Sequence, residues 1–341
     1  MVFVNGYLQK DKSDISALPE GMVLTEMSAA IETNEHGQKV KNWLRNEVDG
    51  SENAFSALNL AFSNGGTFFH VAKNVQVEKP IHFVYLTANG ITPTFTCPQM
   101  FGVVESGAEV SIIESFGGVG EGDYFTNVFN RFEVDANATL HHYKIQNEQS
   151  QGYFINNSAA SQQRDSNYSS YVLDIGSKMA RNNIAANLKD SNTVTNLYGT
   201  YLPKLKEHVD NQSFVDHAFP HAYSNELYKG VMSDHGRGVF NGKVLVRQDA
   251  QKINAYQQNG NLVLSETAQI DTKPQLEIFA DDVRCSHGCT IGQIDEQSVF
   301  YLKARGISDE QARSMLQVAF LGEVIENFEN EAVRDLSLIH I

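Results

Sequence analysis

Two of the chain's three cysteines lie four residues apart with a histidine midway between them, in the run Cys285-Ser286-His287-Gly288-Cys289. Thiolate and imidazole are ligands for iron, zinc and copper(I) rather than for the hard cations magnesium and calcium. In an extended segment side chains alternate between faces, so positions 285, 287 and 289 share one face and are placed to converge on one ion or cluster. Asp281, Asp282 and Arg284 precede the thiols. A neighbouring cation such as Arg284 is expected to raise the thiolate character of Cys285. The competing reading is that Cys285 and Cys289 are small buried hydrophobes, as free cysteines often are. Spacing leaves the two readings level, because one short cluster falls short of a closed tetrahedral site.

Other groups carry weaker signals. His217, His221 and His235 lie among Asp216, Glu226 and Asp234, which suggests an acid–base or metal site. Histidines in such a pattern are more often satisfied core or turn residues. His141 and His142 point to opposite faces of any strand they occupy, so they form no joint site. The glycine-rich run from Gly117 to Gly122 is followed by no Lys-Ser/Thr pair and opens no helix, so it reads as a flexible turn and not a phosphate loop. There is no Gly-x-Ser-x-Gly nucleophile elbow.

With 341 residues, 41% hydrophobic and 20% charged, the chain has the composition of a globular protein of one large domain or two. A formal net charge of −15 argues against binding nucleic acid by phosphate neutralisation. Three cysteines build no disulfide framework. The N-terminus has no signal-peptide pattern, and no apolar run reaches the length of a membrane span. The reducing cytoplasm, which keeps thiols available to metal, is the simplest compartment.

The elements that must position the Cys-His-Cys run fall into three stretches. Residues 1–65 mix short strand and helix patterns. Ser51 is the expected cap of an amphipathic helix carrying Phe55, Leu58 and Phe62 before the Gly65-Gly66 stop. Residues 66–294 repeat a unit of short strand, Asx- or Gly-rich corner and second strand. The unit recurs in Val103–Ser115, Phe132–Ile145, Leu188–Gly199, Val239–Val246 and Leu262–Ile270. A sandwich, a barrel or a solenoid is compatible with that pattern, and strand–corner–strand recurrence is what a parallel β-helix needs. Residues 295–341 turn helical. Asp295 caps a helix with Val299, Phe300 and Leu302, ended by Gly306. Ser308 and Gln311 have capping-box spacing at the start of a second helix. Its apolar stripe is Ala312, Met315, Leu316, Ala319, Phe320 and Val324. Such a hairpin either caps a solenoid or presents a groove to a partner.

About a hundred nearly continuous residues carry a family resemblance: DHAFPHAYSNELYKGVMSDHGRGVFNGKVLV (Asp216–Val246), the stretch from Ala250 through KPQLEIFADDVRCSHGCTIGQID (Lys273–Asp295), and FYLKARGIS (Phe300–Ser308). They resemble the SufB/SufD family, the scaffold subunits of the SUF iron–sulfur cluster assembly machine. Where SufB-type chains carry a run like HEATxSKI this one reads CSHGCTIGQI, so it is similar to the SufD type. The resemblance implies a mainly β protein, a right-handed parallel β-helix with helical segments at both ends. It implies a non-catalytic scaffold pairing with a SufB-like subunit and a SufC-like ABC-type ATPase, with Cys285 and His287 as interface ligands of a transient iron–sulfur cluster or iron. It raises a reduced flavin as a further ligand of the complex. It assigns the C-terminal hairpin, with Phe300, Met315, Leu316 and Phe320, to the ATPase. The family usually has alanine at the position of Cys289, which makes that cysteine a local addition. SufD-like chains carry a longer helical region upstream of Met1, and the final LSLIHI (Leu336–Ile341) is unlike the family's usual ending, so the chain reads as truncated or chimeric. The rival readings are a secreted-type β-helix polysaccharide lyase or hydrolase and a stand-alone zinc protein.

Overall fold

The structure, a computed structural model, describes residues 1–50, 53–63, 65–90 and 92–339, with the backbone alone for 48–50. From Thr67 to Gly292 successive strands alternate between a 10-stranded and an 11-stranded wall. Within each wall the neighbours from this stretch run parallel and in register, as Tyr153–Gln162 does against Met179–Leu188 and Met179–Leu188 against His208–His217. The expected parallel β-solenoid is borne out, with about 8 turns and helices near both termini.

The corners explain why the sequence is rich in Asx and Gly there. Asn74, Gly107, Asn137, Asp165, Asn192, His221 and Lys252 all adopt a left-handed backbone conformation. Each corner N–H reaches a carbonyl of the following turn: Asn137 to Arg164 O at 2.9 Å, Asp165 to Ser191 O at 3.1 Å, His221 to Gln251 O at 2.9 Å. A Cβ makes that conformation costly, least so for Gly, Asn and Asp, and the stacked hydrogen bond repeats the demand in every turn.

Two expectations about the strands need correction. They are mostly nine to eleven residues long, as in Asn167–Ile175 and Tyr124–Val134, and not the short strands expected. The apolar runs mark only part of each strand, because many inward positions are polar. Val239–Val246 is not strand, turn, strand but the body of one strand, Arg237–Val246. Its Asn-Gly pair signals a turn locally, yet Gly242 serves packing: a Cβ there would run into the Gln257 amide across the lumen.

The interior holds an apolar cluster, including Phe83, Ile112, Leu140, Phe154, Tyr168 and Val244, and beside it a buried charged band. Lys144 Nζ lies 2.5 Å from Asp174 Oδ1 and 2.6 Å from Asn182 Oδ1, and His142 Nε2 lies 2.7 Å from Glu114 Oε2. Charge is tolerated here because every member is paired; removing one partner strands the other. Burial pushes Glu148 and Glu226 up to about 7, against the downward pull of hydrogen bonds from Tyr124 and Gln257.

Helices clad the walls. Met27, Ala30, Val40 and Trp43 pack on Phe68, Phe101 and Phe129 of the larger wall, with Trp43 stacked 4.7 Å from Phe101. Ser51 lies outside the described residues; the Ala54–Phe62 helix is capped by Asn53, and it buries Ser56 and Asn59 while Phe55 and Phe62 stay exposed. At the other end Val324, Phe328 and Val333 cover Tyr143, Tyr171 and Tyr198 on the outer face of the smaller wall. The C-terminal helices therefore lie along the solenoid's side. Among the described residues no helix is long and apolar enough to cross a membrane.

The buried carboxyls make stability depend on pH with a definite sign. An acid whose folded value is raised holds more protons folded than unfolded between its ordinary value of 4.5 and about 7. Its contribution is thus fully present below 4.5 and lost as pH rises through 7. Replacing Glu148 by Gln removes the titration. Urea denaturation should show the stability difference moving in favour of Glu148→Gln by about 3 kcal/mol between pH 4.5 and pH 8. A pH-independent difference would mean that Glu148 is already ionised in the folded chain.

Candidate functional site

Val283–Gly292 is the last strand of the 10-stranded wall, and among the described residues it pairs only with Ile253–Val263. The register sets Cys285 beside Ala255, His287 beside Gln257 and Cys289 beside Asn259. Those three neighbours are buried inward residues, so the Cys-His-Cys face continues the solenoid's inner surface at the one turn that no further turn covers. Cys285 is half-buried and packs on the core, whereas His287 and Cys289 are exposed.

The extended backbone limits what the three donors can share. At roughly 3.3 Å per residue, adjacent inward positions are about 7 Å apart and the end positions about 13 Å. Cys285 and His287 can grip one ion together; Cys285 and Cys289 cannot. Among the described residues no group of three His, Cys, Asp or Glu side chains is placed to hold a metal ion. Convergence of all three donors on one ion, expected from the alternation, is therefore not formed by this chain alone.

The expected activation of Cys285 is also overturned. Burial pushes its thiol up, and a hydrogen bond with the Ala255 backbone pulls it only partly back. Arg284 is adjacent in sequence, but strand alternation sends it to the opposite face. Asp281 and Asp282 are corner residues: Lys252 N–H donates to Asp282 O at 2.6 Å, and Asp282 N–H donates to Gln251 Oε1 at 2.9 Å. The run thus sets a half-buried thiol beside an exposed imidazole, and metal binding to such a thiol releases its proton. Cys97, pushed up to about 12 by burial, is further from thiolate still.

The helical hairpin forms as its caps require. Asp295 accepts from the N–H groups of Gln297 and Ser298, both at 3.1 Å, and Ser308 with Gln311 closes a capping box. Its apolar residues divide. Ala312, Leu321, Val324 and Ile325 are buried, while Phe300 and Met315 face solvent at 73% and 51% exposure. Leu316 is half-buried. Phe320 is committed internally: Lys229 Nζ sits 4.4 Å from its ring centre and donates to its carbonyl at 2.8 Å.

The histidine–carboxylate group is not assembled. His217 is buried against Ser224 Oγ at 2.9 Å, Asp216 pairs with Arg247, and His221 and Asp234 occupy left-handed backbone positions. His141 and His142 do face opposite ways, toward Glu329 in the connection between the covering helices and Glu114 inside. Sequence reading missed Gln257, and it missed exposed Tyr301, Phe279 and Ile291. No local signal marks Gln257, because its place behind His287 is fixed only by strand register.

Comparison with known proteins agrees with this geometry. Residues 85–320 match the family model described as the SUF system FeS cluster assembly SufBD core domain, and residues 1–83 match the SufBD protein N-terminal region. An iron–sulfur cluster assembly SufBD family protein of Synechocystis is 34% identical over 96% of this chain and 73% of its own length. The iron–sulfur cluster assembly protein SufD of Escherichia coli is 34% identical over 69% of this chain and 56% of that protein. The SufD of Bacillus subtilis is 29% identical over 96% and 76% respectively. A solenoid that ends in an uncovered Cys-His strand, matched along nearly its whole length, places the chain in the SufBD family of iron–sulfur cluster assembly proteins.

Proposed function

We propose that the chain is a non-catalytic scaffold subunit that pairs with a SufB-like subunit along the Val283–Gly292 edge and lends Cys285 and His287 to a nascent iron–sulfur cluster at that interface. The observation that carries this reading is the edge itself. It is ten residues long, and Arg284 is its only Lys, Arg, Asp or Glu. Exposed strand edges of that kind pair with other chains unless charge, proline or a covering element blocks them. Ile291 on the strand and Phe279, four residues before its start, add exposed apolar surface. The ligands on the edge make half a site, and a partner's donors complete it. An incomplete sphere suits a cluster that must later leave.

Co-expression with candidate SufB-like and SufC-like partners, followed by iron and sulfide analysis, tests the scaffold role. Cys285→Ser and His287→Ala should each lower cluster content several-fold while the subunits still associate, and Cys289→Ala should change it little. Normal loading by Cys285→Ser would make that cysteine structural. Tight stoichiometric zinc in the isolated chain would favour a self-contained metal protein instead.

The hairpin of Glu296–Lys303 and Asp309–Ile325 is the proposed dock for the SufC-like ATPase, through Phe300, Tyr301 and Met315. Met315→Asp should abolish co-purification of the ATPase and leave the circular dichroism unchanged, since the side chain is solvent-facing. Unaltered co-purification would show that this face is free in the complex.

A further inference from the structure

We propose that Gln257 is a positioning residue for His287: its amide oxygen accepts one imidazole N–H and so presents the other ring nitrogen as the ligand. The inference rests on the reading of His287 as a ligand and adds the group that orients it.

Gln257 is 3% exposed, and its two amide atoms are in unequal positions. Its Nε2 donates to Glu226 Oε2 in the preceding turn, while its Oε1 is buried with no hydrogen-bond partner. An unmet buried acceptor costs roughly 1–3 kcal/mol, so a donor is expected to reach it. The next turn places His287 directly beside Gln257, on the same inward face, at the strand spacing of about 4.8 Å. The neighbouring row gives a contrast. Asn259, which stands beside Cys289, is already saturated: its Nδ2 donates to Tyr201 Oη at 3.1 Å and to Tyr228 O at 3.2 Å, and its Oδ1 accepts from Asn261 and Thr272. Ala255, beside Cys285, has no polar side chain. Of the three donors on the edge strand, only His287 has an unused acceptor behind it.

Two constraints keep the Gln257 oxygen where it is. Turning the amide over would set its oxygen against the Glu226 carboxyl oxygen that its nitrogen now contacts. Gly242 closes the space from the opposite wall, where a Cβ would strike Nε2. The amide is therefore clamped between Glu226 and Gly242. Metal-bound histidines generally give their second N–H to such an acceptor, which fixes the tautomer.

The test combines ¹⁵N-histidine NMR of the full chain at pH 8 with iron and sulfide content of the co-expressed complex. The His287 signals are assigned by their loss in His287→Ala. His287 should be a single tautomer in the parent chain and a mixture in Gln257→Met, which keeps volume and loses the acceptor. Cluster affinity in Gln257→Met should fall by about 10–100-fold, the usual cost of losing such an acceptor. If Gln257→Met fails to fold, Gly242→Ala decides, since it displaces the amide and leaves Gln257 in place; it should shift the tautomer the same way. An unchanged tautomer and unchanged loading in Gln257→Met, with loading lost in His287→Ala, would overturn the positioning role and leave the ligand reading intact. Normal loading by His287→Ala would overturn both.

Discussion

Everything in this molecule depends on each turn satisfying its neighbour. Parallel strands in register exchange backbone hydrogen bonds turn to turn, and the left-handed corner residues add one more bond per turn along a continuous line from Asn74 to Lys252. A stack of this kind has no closure. Its interior turns are complete, and its last turn carries whatever bonding capacity remains. The protein places its cysteine–histidine pair on that last turn, so the donors inherit the unmet edge of the whole stack.

The same stacking organises chemistry inside. In-register rows make columns of side chains, and a polar column is costly to bury unless its members find partners. Lys144 with Asp174 and Asn182, and His142 with Glu114, meet that condition deep in the lumen. The column of Glu226 and Gln257 meets it only up to the final step, where His287 stands. The inner surface thus passes without a break from structural polar packing to ligand presentation.

Local signals in the sequence were reliable where the structure is local. Asp295 and the Ser308–Gln311 box could be read because their partners lie within a few residues, and the Asx and Gly corners because a left-handed backbone itself selects those residue types. The Cys285–His287 pair stood out by residue type. What stayed hidden depends on which strands stack. Asn241-Gly242 has turn chemistry but lies mid-strand, because tertiary packing needed a residue without a side chain opposite Gln257. Arg284 seemed a tuning charge for Cys285 from its adjacency, yet a strand separates adjacent residues onto opposite faces. Phe320 belonged to an apolar stripe with Met315, and only the fold shows that Lys229 claims it.

Lys229 also ties two distant parts of the chain into one mechanical unit. It holds the Asp309–Ile325 helix through the Phe320 carbonyl and Glu323, and its register neighbour Gly260 lies beside Thr290 on the edge strand. Gly260 has no side chain to hold the Phe320 ring away from the sheet, so ring, helix and strand lie within one close-packed layer. Two backbone ladders thus span the whole distance from the residue that grips that helix to Thr290, the residue that follows Cys289.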